Sequence, residues 1–231
     1  MKDDWFNTGF AKKWDTDTAR GNPTRPEQLD ILISIITDNY QPGKLVLDIG
    51  SGSGQVEELI FKKNPNVRVV GVDSSESMIE LAKNRLSKFE NNFHSIKKDI
   101  PSLKLLDLPQ GTYQFVFSVQ VFHELNDNEK KDIFKKVYDL LEHNGSLLIL
   151  DRIDIDSVVF SESYKSIWNR LENLSPLKSN KTYNDYQRSM EAKEDNVTSA
   201  ENYVELLKEI GFLATILHLH FNRALVIGVK K

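Results

Sequence analysis

The sequence predicts an α/β fold: a doubly wound, seven-stranded, mostly parallel sheet with an antiparallel C-terminal hairpin, plus a helical lid. Two observations predict it. From Lys44 onward, short apolar runs alternate with amphipathic stretches, the pattern of a sheet covered by helices on both faces. Near the C-terminus, Leu213 to Leu219 and Ala224 to Val229 are separated only by a gap around Phe221-Asn222-Arg223 and read as a hairpin.

The elements follow in order. Leu45-Val46-Leu47 is short and uniformly apolar, as a buried parallel strand is. A helix runs from Gly54 through Lys62 and stops before Asn64-Pro65. Val67 to Val72 is the second strand. Ser75 caps a helix whose Met78, Ile79, Ala82 and Leu86 recur at helical spacing. Phe93 to Lys97 and Tyr113 to Ser118 are strands three and four. Asn128 to Leu141 gathers Ile133, Phe134, Val137, Leu140 and Leu141 on one helical face, with Asn144-Gly145 as a left-handed stop. Ser146 to Leu150 is strand five. Thr198-Ser199-Ala200-Glu201 has a capping-box pattern and opens a helix to Ile210, which Gly211 ends. One domain spans 1–231; residues 1–25 and 152–197 break its rhythm and are the candidate lid and substrate segments.

Composition sets bounds on function. A chain of 231 residues, 39% hydrophobic and 28% charged, buries about 70% of its unfolded surface and needs no covalent staple. There is no cysteine, which excludes a disulfide framework, a thiolate metal site, a cysteine nucleophile and a cysteine-held iron–sulfur cluster. Met1 to Trp5 lacks the apolar stretch of a signal peptide, and no run reaches the ~18 apolar residues of a membrane span. The expectation is a cytoplasmic protein with no membrane partner. A net charge of −4 and a pI near 5.8 lean against a nucleic-acid partner.

The stretch that carries chemistry is Asp48-Ile49-Gly50-Ser51-Gly52-Ser53-Gly54. Alternate glycines after a buried strand remove the Cβ atoms that keep a ligand from the backbone, and the helix that follows offers unpaired N–H groups. A phosphate loop ends in Gly-Lys-Ser/Thr, whereas Gly54 is followed by Gln55-Val56; the dinucleotide fingerprint wants glycine where Gln55 stands. Both fail on spacing.

Val46 to Gly54 resembles motif I of the class I S-adenosylmethionine-dependent methyltransferases, whose Rossmann-like sheet ends in the same kind of hairpin. The resemblance covers residues 40–151, and 198–231 as topology. It implies S-adenosyl-L-methionine as cofactor, held by Asp48, Gly50, Ser51, Gly52 and Gly54, with Asp73, Ser74 and Met78 after strand two. In the family the acid at Asp73 takes both ribose hydroxyls, which suits an acceptor-only carboxylate. Asp99 and Ile100 match the adenine contacts, a carboxylate for the exocyclic amine and an apolar cover. Ser118 and Val119 end strand four, and Ser118 to Leu125 resembles motif IV of the small-molecule enzymes. The chain departs from that motif at Gln114, where an Asp is common.

Other branches of the superfamily fit less well. There is no proline between Pro109 and Pro176 for an Asn-Pro-Pro-aromatic motif, and Glu124 stands without the second glutamate of an arginine methyltransferase. Asp151 alone does not make the acid cluster of the metal-dependent enzymes, so no metal is expected. His123, at the cofactor edge of the sheet, is the candidate general base, with a packing role as its alternative. Phe6, Phe10 and Trp14, and then Phe160, Tyr164 and Trp168, recur every fourth residue. These stripes either form a lid over the acceptor pocket or dock their helices to the domain. Phe10, Trp14, Tyr164, Trp168 and His220 are the candidate pocket residues. The leading reading is methyl transfer to a small molecule, at an O, N or C atom. Methylation of tRNA or protein, a non-catalytic cofactor-binding module and other chemistry on the cofactor are the alternatives. The oligomeric state is left open.

Overall fold

The computed structural model of the chain describes residues 24–155, 159–174, 182–191 and 195–231, together with Gly9, Lys12 and Lys13. Helix α1 (Arg25–Asn39) leads into β1 (Leu45–Ile49), α2 (Gln55–Lys63), β2 (Val69–Asp73), α3 (Glu76–Arg85) and β3 (Phe93–Lys97). There follow β4 (Tyr113–Val119), α4 (Asp127–Leu140) and β5 (Leu141–Arg152). Helices α5 (Ser161–Leu174) and α6 (Tyr183–Glu191) fall within the inserted segment, ahead of α7 (Ala200–Ile210), β6 (Phe212–His220) and β7 (Arg223–Lys230).

The seven strands lie in the order β3-β2-β1-β4-β5-β7-β6. Strands β1 to β5 pair in parallel, and β7 runs antiparallel between β5 and β6. The predicted doubly wound sheet and its hairpin are thus both present. Because the chain leaves β1 toward β2 and returns to β1's other side with β4, the strand order reverses between β1 and β4. Ligands of such sheets dock beyond the carboxyl ends of the strands at that switch point.

Side chains alternate across the sheet and split the core in two. Leu45, Leu47 and Ile49 of β1 pack with Ile133, Phe134 and Val137 of α4 and with Tyr203, Leu206 and Leu207 of α7. Val46 faces the other way, onto Leu29, Leu32, Ile33 and Ile36 of α1 and Val56, Ile60 and Phe61 of α2. Each such side chain, fully buried, contributes about 1.5–3 kcal/mol. Helix α1 lies outside the alternation that starts at Lys44, although its apolar residues at 29, 32, 33 and 36 have helical spacing behind Pro26.

Two local expectations are corrected. Asn144-Gly145 does not cap α4: the helix ends at Leu140, and buried Leu141 is already extended and paired with Tyr113. Asn144, not Gly145, is left-handed (φ 63°), inside a strand whose register shifts between Tyr113 and Phe115. The helix to Ile210 is capped by Ser199, whose Oγ accepts from Asn202 N at 3.1 Å, rather than by a Thr198–Glu201 box. A capping box forms instead at Asn126 and Glu129 on α4.

Gln114, the departure from the family pattern, has a structural use. Its Oε1 accepts from Gln41 N at 2.8 Å, and its Nε2 donates to Asn39 O at 2.9 Å. One buried amide therefore satisfies both backbone groups at the end of α1 and ties that end to β4. Gln114→Leu strands both groups and is expected to cost about 1–3 kcal/mol in urea unfolding. A change within ~0.5 kcal/mol would mean that solvent replaces the amide.

Candidate active site

A cleft of about 560 Å³, open mouth included, lies at the switch point, lined by residues from four strand ends. Gly50 and Gly52 come from the loop after β1, Asp73, Ser74 and Met78 from the end of β2 and the start of α3. Ile100 follows β3, and Val119, Gln120, Val121 and Glu124 follow β4.

The loop is folded by its own backbone. Gly50 and Ser51 donate to Val72 O at 2.8 and 3.1 Å, and Gly50 is left-handed with φ 85°. A Cβ on Gly50 would overlap Val121 Cγ2, so the loop and the β4 turn approach as closely as backbone allows. Gly54, also left-handed (φ 77°), sets the start of α2 and packs on Leu86 and Ala82. Asp73 binds the loop to the next helix: Oδ2 accepts from Gly52 N and Oδ1 from Ser75 N, each at 2.8 Å. Burial pushes the Asp73 carboxyl up, against the N–H groups of Ser75, Gly52 and Ser74, which favour its charged form.

Across the cleft, the β4 turn carries backbone strain. Gln120 is left-handed (φ 62°), a conformation that costs a non-glycine residue about 1–3 kcal/mol. Its N–H is held by Leu150 O at 2.9 Å, while its Nε2 is buried with no hydrogen-bond partner among the described residues. Immediately beyond, His123 and Asp151 form a buried dyad with Nδ1···Oδ1 at 2.6 Å. Asp151 also accepts from His123 N at 2.8 Å, Arg152 N at 2.8 Å and Tyr203 Oη at 2.9 Å. Burial alone would raise this carboxyl, but the neighbouring His123 and these hydrogen bonds outweigh it and hold Asp151 below its ordinary value. Asn196 N donates to His123 O at 2.7 Å, and Lys130 Nζ holds Asn196 O at 2.7 Å, which fixes the turn from its far side.

The structure brings together most of the cofactor residues expected from sequence. Gly50, Gly52, Asp73, Ser74, Met78, Ile100 and Val119 share the cleft. Asp48, Ser51 and Ser118 are buried in the wall behind it, Ser118 Oγ donating to Ile49 O at 2.7 Å. Asp99 is exposed and does not line the cleft; its neighbour Ile100 does. Tyr164 and Trp168 pack with Tyr183, Tyr186 and Phe221, beside the β6–β7 turn that follows His220, and none of Tyr164, Trp168 and His220 lines this cleft. Phe10 and Trp14 lie outside the described residues. Sequence reading missed Gln120, Val121 and Glu124 as wall residues and Asp151 as partner of His123. The signal for Asp151 is structural: β5 pairs with β4 in parallel and ends at the same sheet edge. Among the described residues no cluster of acids and histidines could hold a metal, and no helix is long and apolar enough to cross a membrane.

Comparison with known proteins agrees with the geometry. Residues 46–145 match the family described as a methyltransferase domain. The chain is 26% identical over 229 residues to the carboxy-S-adenosyl-L-methionine synthase of Nautilia profundicola, covering 92% of each chain. It is 25% identical over 181 residues to the demethylmenaquinone methyltransferase of Thermotoga maritima, covering 78% of this chain and 74% of that one. The magnesium protoporphyrin IX methyltransferase of Synechocystis, solved with bound SAH, superposes with a TM-score of 0.65 over 98% of this chain and 96% of its own. At 15% identity that likeness concerns the fold. Sheet order, glycine loop and cleft are those of a class I methyltransferase fold. In sequence and fold the chain is similar to the class I S-adenosylmethionine-dependent methyltransferases, and it is an enzyme whose cofactor is S-adenosylmethionine.

Gly50→Ala meets both the positive φ and the Val121 side chain. It is expected to lower stability by about 1–3 kcal/mol and to weaken cofactor binding. Adding Val121→Ala should recover part of the stability by removing the overlap. Melting curves with and without S-adenosylmethionine check this; a wild-type melt for Gly50→Ala would show that the loop yields.

Proposed function

We propose that the protein transfers the methyl group of S-adenosylmethionine to a small-molecule acceptor, with His123 as general base. The observation that carries this reading is the His123–Asp151 dyad, next in the chain to the cleft residue Glu124 and behind the same turn as Gln120 and Val121. The cleft suits the cofactor on its own chemistry. Gly50 and Gly52 bring bare backbone to its floor. A carboxylate has about four lone-pair positions, and beyond its bonds from Gly52 and Ser75 Asp73 keeps acceptor capacity for the hydroxyls of a ribose. Met78, Ile100 and Val119 supply apolar wall for a base, and the unpartnered Gln120 Nε2 is a donor left for a ligand oxygen.

The cofactor supplies a methyl group already activated by its sulfonium, so the protein has two tasks: alignment and proton removal. Asp151 accepts the Nδ1 proton of His123 and fixes the tautomer in which Nε2 is bare. An imidazole held this way takes the proton of an acceptor hydroxyl as the new bond forms. The Asp151 carboxylate then stabilises the imidazolium without being protonated itself. The four hydrogen bonds on Asp151 keep both rings of the network, His123 and Tyr203, from rotating away.

One second reading has a specific observation behind it. The match to the carboxy-S-adenosyl-L-methionine synthase of Nautilia profundicola runs the length of both chains, which supports chemistry that leaves a carboxyl group on the cofactor. Against it, the described cleft residues include two carboxylates, Asp73 and Glu124, and no cation to pair an anionic co-substrate. Mass spectrometry of the protein incubated with S-adenosylmethionine and a metabolite extract separates the two. Methyl transfer yields the demethylated cofactor and a methylated acceptor, whereas the second reading yields carboxy-S-adenosylmethionine. Under the first reading, His123→Ala should reduce kcat by about 10²–10⁴-fold and Asp151→Asn by a comparable factor, with cofactor affinity changed little. Full turnover in His123→Ala sinks the base assignment.

A further inference from the structure

Beneath the glycine loop two carboxyl groups are buried together. Asp48, in β1, is 2% exposed and Glu57, in the first turn of α2, is fully buried. Among the described residues, Asp48 Oδ1 and both oxygens of Glu57 have no hydrogen-bond partner of good geometry. Two carboxyl groups can hydrogen-bond to each other only when one of them is protonated. Neither group lines the cleft, and the methyl-transfer chemistry uses neither. An unsatisfied buried carboxyl pair costs stability, so its presence at the cofactor loop needs a reason.

The charged groups around the pair supply one. From β2, Asp73 acts on both carboxyls and opposes their ionisation. From α3, Arg85 favours ionisation of Glu57 and is itself bound to Ser53 Oγ at 2.9 Å and paired with Glu58 at 3.4 Å. From α1, Arg25 reaches α2 at Gln55, at 3.5 Å. Asp73 is the member that lines the cleft, so a charge placed in the cleft acts on the pair by the same route. Burial, set against the hydrogen bond from Asp48, pushes Glu57 up to about 7, and burial with the nearby Glu57 pushes Asp48 well above the carboxylate range. The pair thus holds its protons more tightly than free carboxyls do.

We propose that the Asp48–Glu57 pair senses charge in the cofactor cleft, giving up a proton to solvent when the sulfonium cofactor docks and so favouring it over its product. S-adenosylmethionine carries one positive charge more than S-adenosylhomocysteine, and that charge sits at the reacting sulfur. The carboxylate that forms at Glu57 attracts the cation; with the neutral sulfur of the product it gains nothing, and the proton stays. The inference rests on the cleft being the cofactor site, and it is independent of the acceptor and of His123.

Calorimetry tests it with S-adenosylmethionine and S-adenosylhomocysteine in two buffers of different ionisation enthalpy. The expected result is greater proton release for S-adenosylmethionine. The preference for it over the product should also rise on the order of threefold to tenfold between about pH 6 and about pH 8. In Glu57→Gln the ligands' own titration remains, but the extra proton and the added preference should vanish; Asp48→Asn serves if that variant does not fold. Equal proton release for the two ligands, or an unchanged pH dependence in the variant, overturns the proposal. Failure of either ligand to bind would overturn the cofactor reading beneath it as well.

Discussion

The approach of Gly50 to Val121 is the constraint on which the site depends. The first belongs to the loop after β1, the second to the turn after β4, and these are the two strands between which the sheet reverses its order. Their contact is possible because Gly50 has no Cβ and sits where φ is 85°. A side chain on the loop would push the two walls apart and lift the loop's N–H groups away from Val72 O. The turn on the far side accommodates the same closeness through the left-handed Gln120. One wall has glycine for its positive φ, and the other carries the strain.

From that contact the remaining parts follow in register. Parallel pairing sets Asp48 opposite Gly71 and Phe117, so the ends of β2 and β4 arrive at one level. Asp73 then stands where it can hold Gly52, and the β4 turn stands where β5 can deliver Asp151 to His123. The dyad is local to the sheet edge, but it is held by residues distant in the chain. Tyr203 comes from α7, and Asn196 from the stretch where the inserted segment rejoins the sheet. The dyad is therefore coupled by hydrogen bonds to the end of the segment that contains α5 and α6.

What could be read from the sequence divides along physical lines. The strands, the glycine loop and Asp73 were legible because buried parallel strands and backbone-lined turns demand particular residue types at fixed spacing. His123 was legible as a residue near a strand end, but its partner was not, since Asp151 lies 28 positions away and only the β4–β5 pairing joins them. Gln120 carries no sequence mark of its positive φ, because the tertiary contact imposes it. Asn144-Gly145 misled for the opposite reason: its composition suits a helix stop, but packing of Leu141 against Tyr113 ends the helix earlier. The aromatic repeat at Tyr164 and Trp168 was a true helical face, and Phe221 at the hairpin tip is what it covers.

Two buried carboxyls show how the fold divides stability from function. Asp151 is surrounded by donors and held below its ordinary value, so its contribution to stability is present above the unfolded pKa and is lost as pH falls through the folded one. Glu57 is the reverse case. With its pKa raised from 4.5 to about 7, the folded state binds the proton more tightly than the unfolded chain, and stability falls as pH rises across that window. A protein selected for stability alone would place an apolar side chain at Glu57, in a core already formed by Val56, Ile60 and Phe61. Keeping a carboxyl there leaves ionisable charge beneath the glycine loop. Under the proposed reading, such charge favours the cationic cofactor over its neutral-sulfur product without placing a carboxylate beside the reacting sulfur, where it would compete for the methyl group.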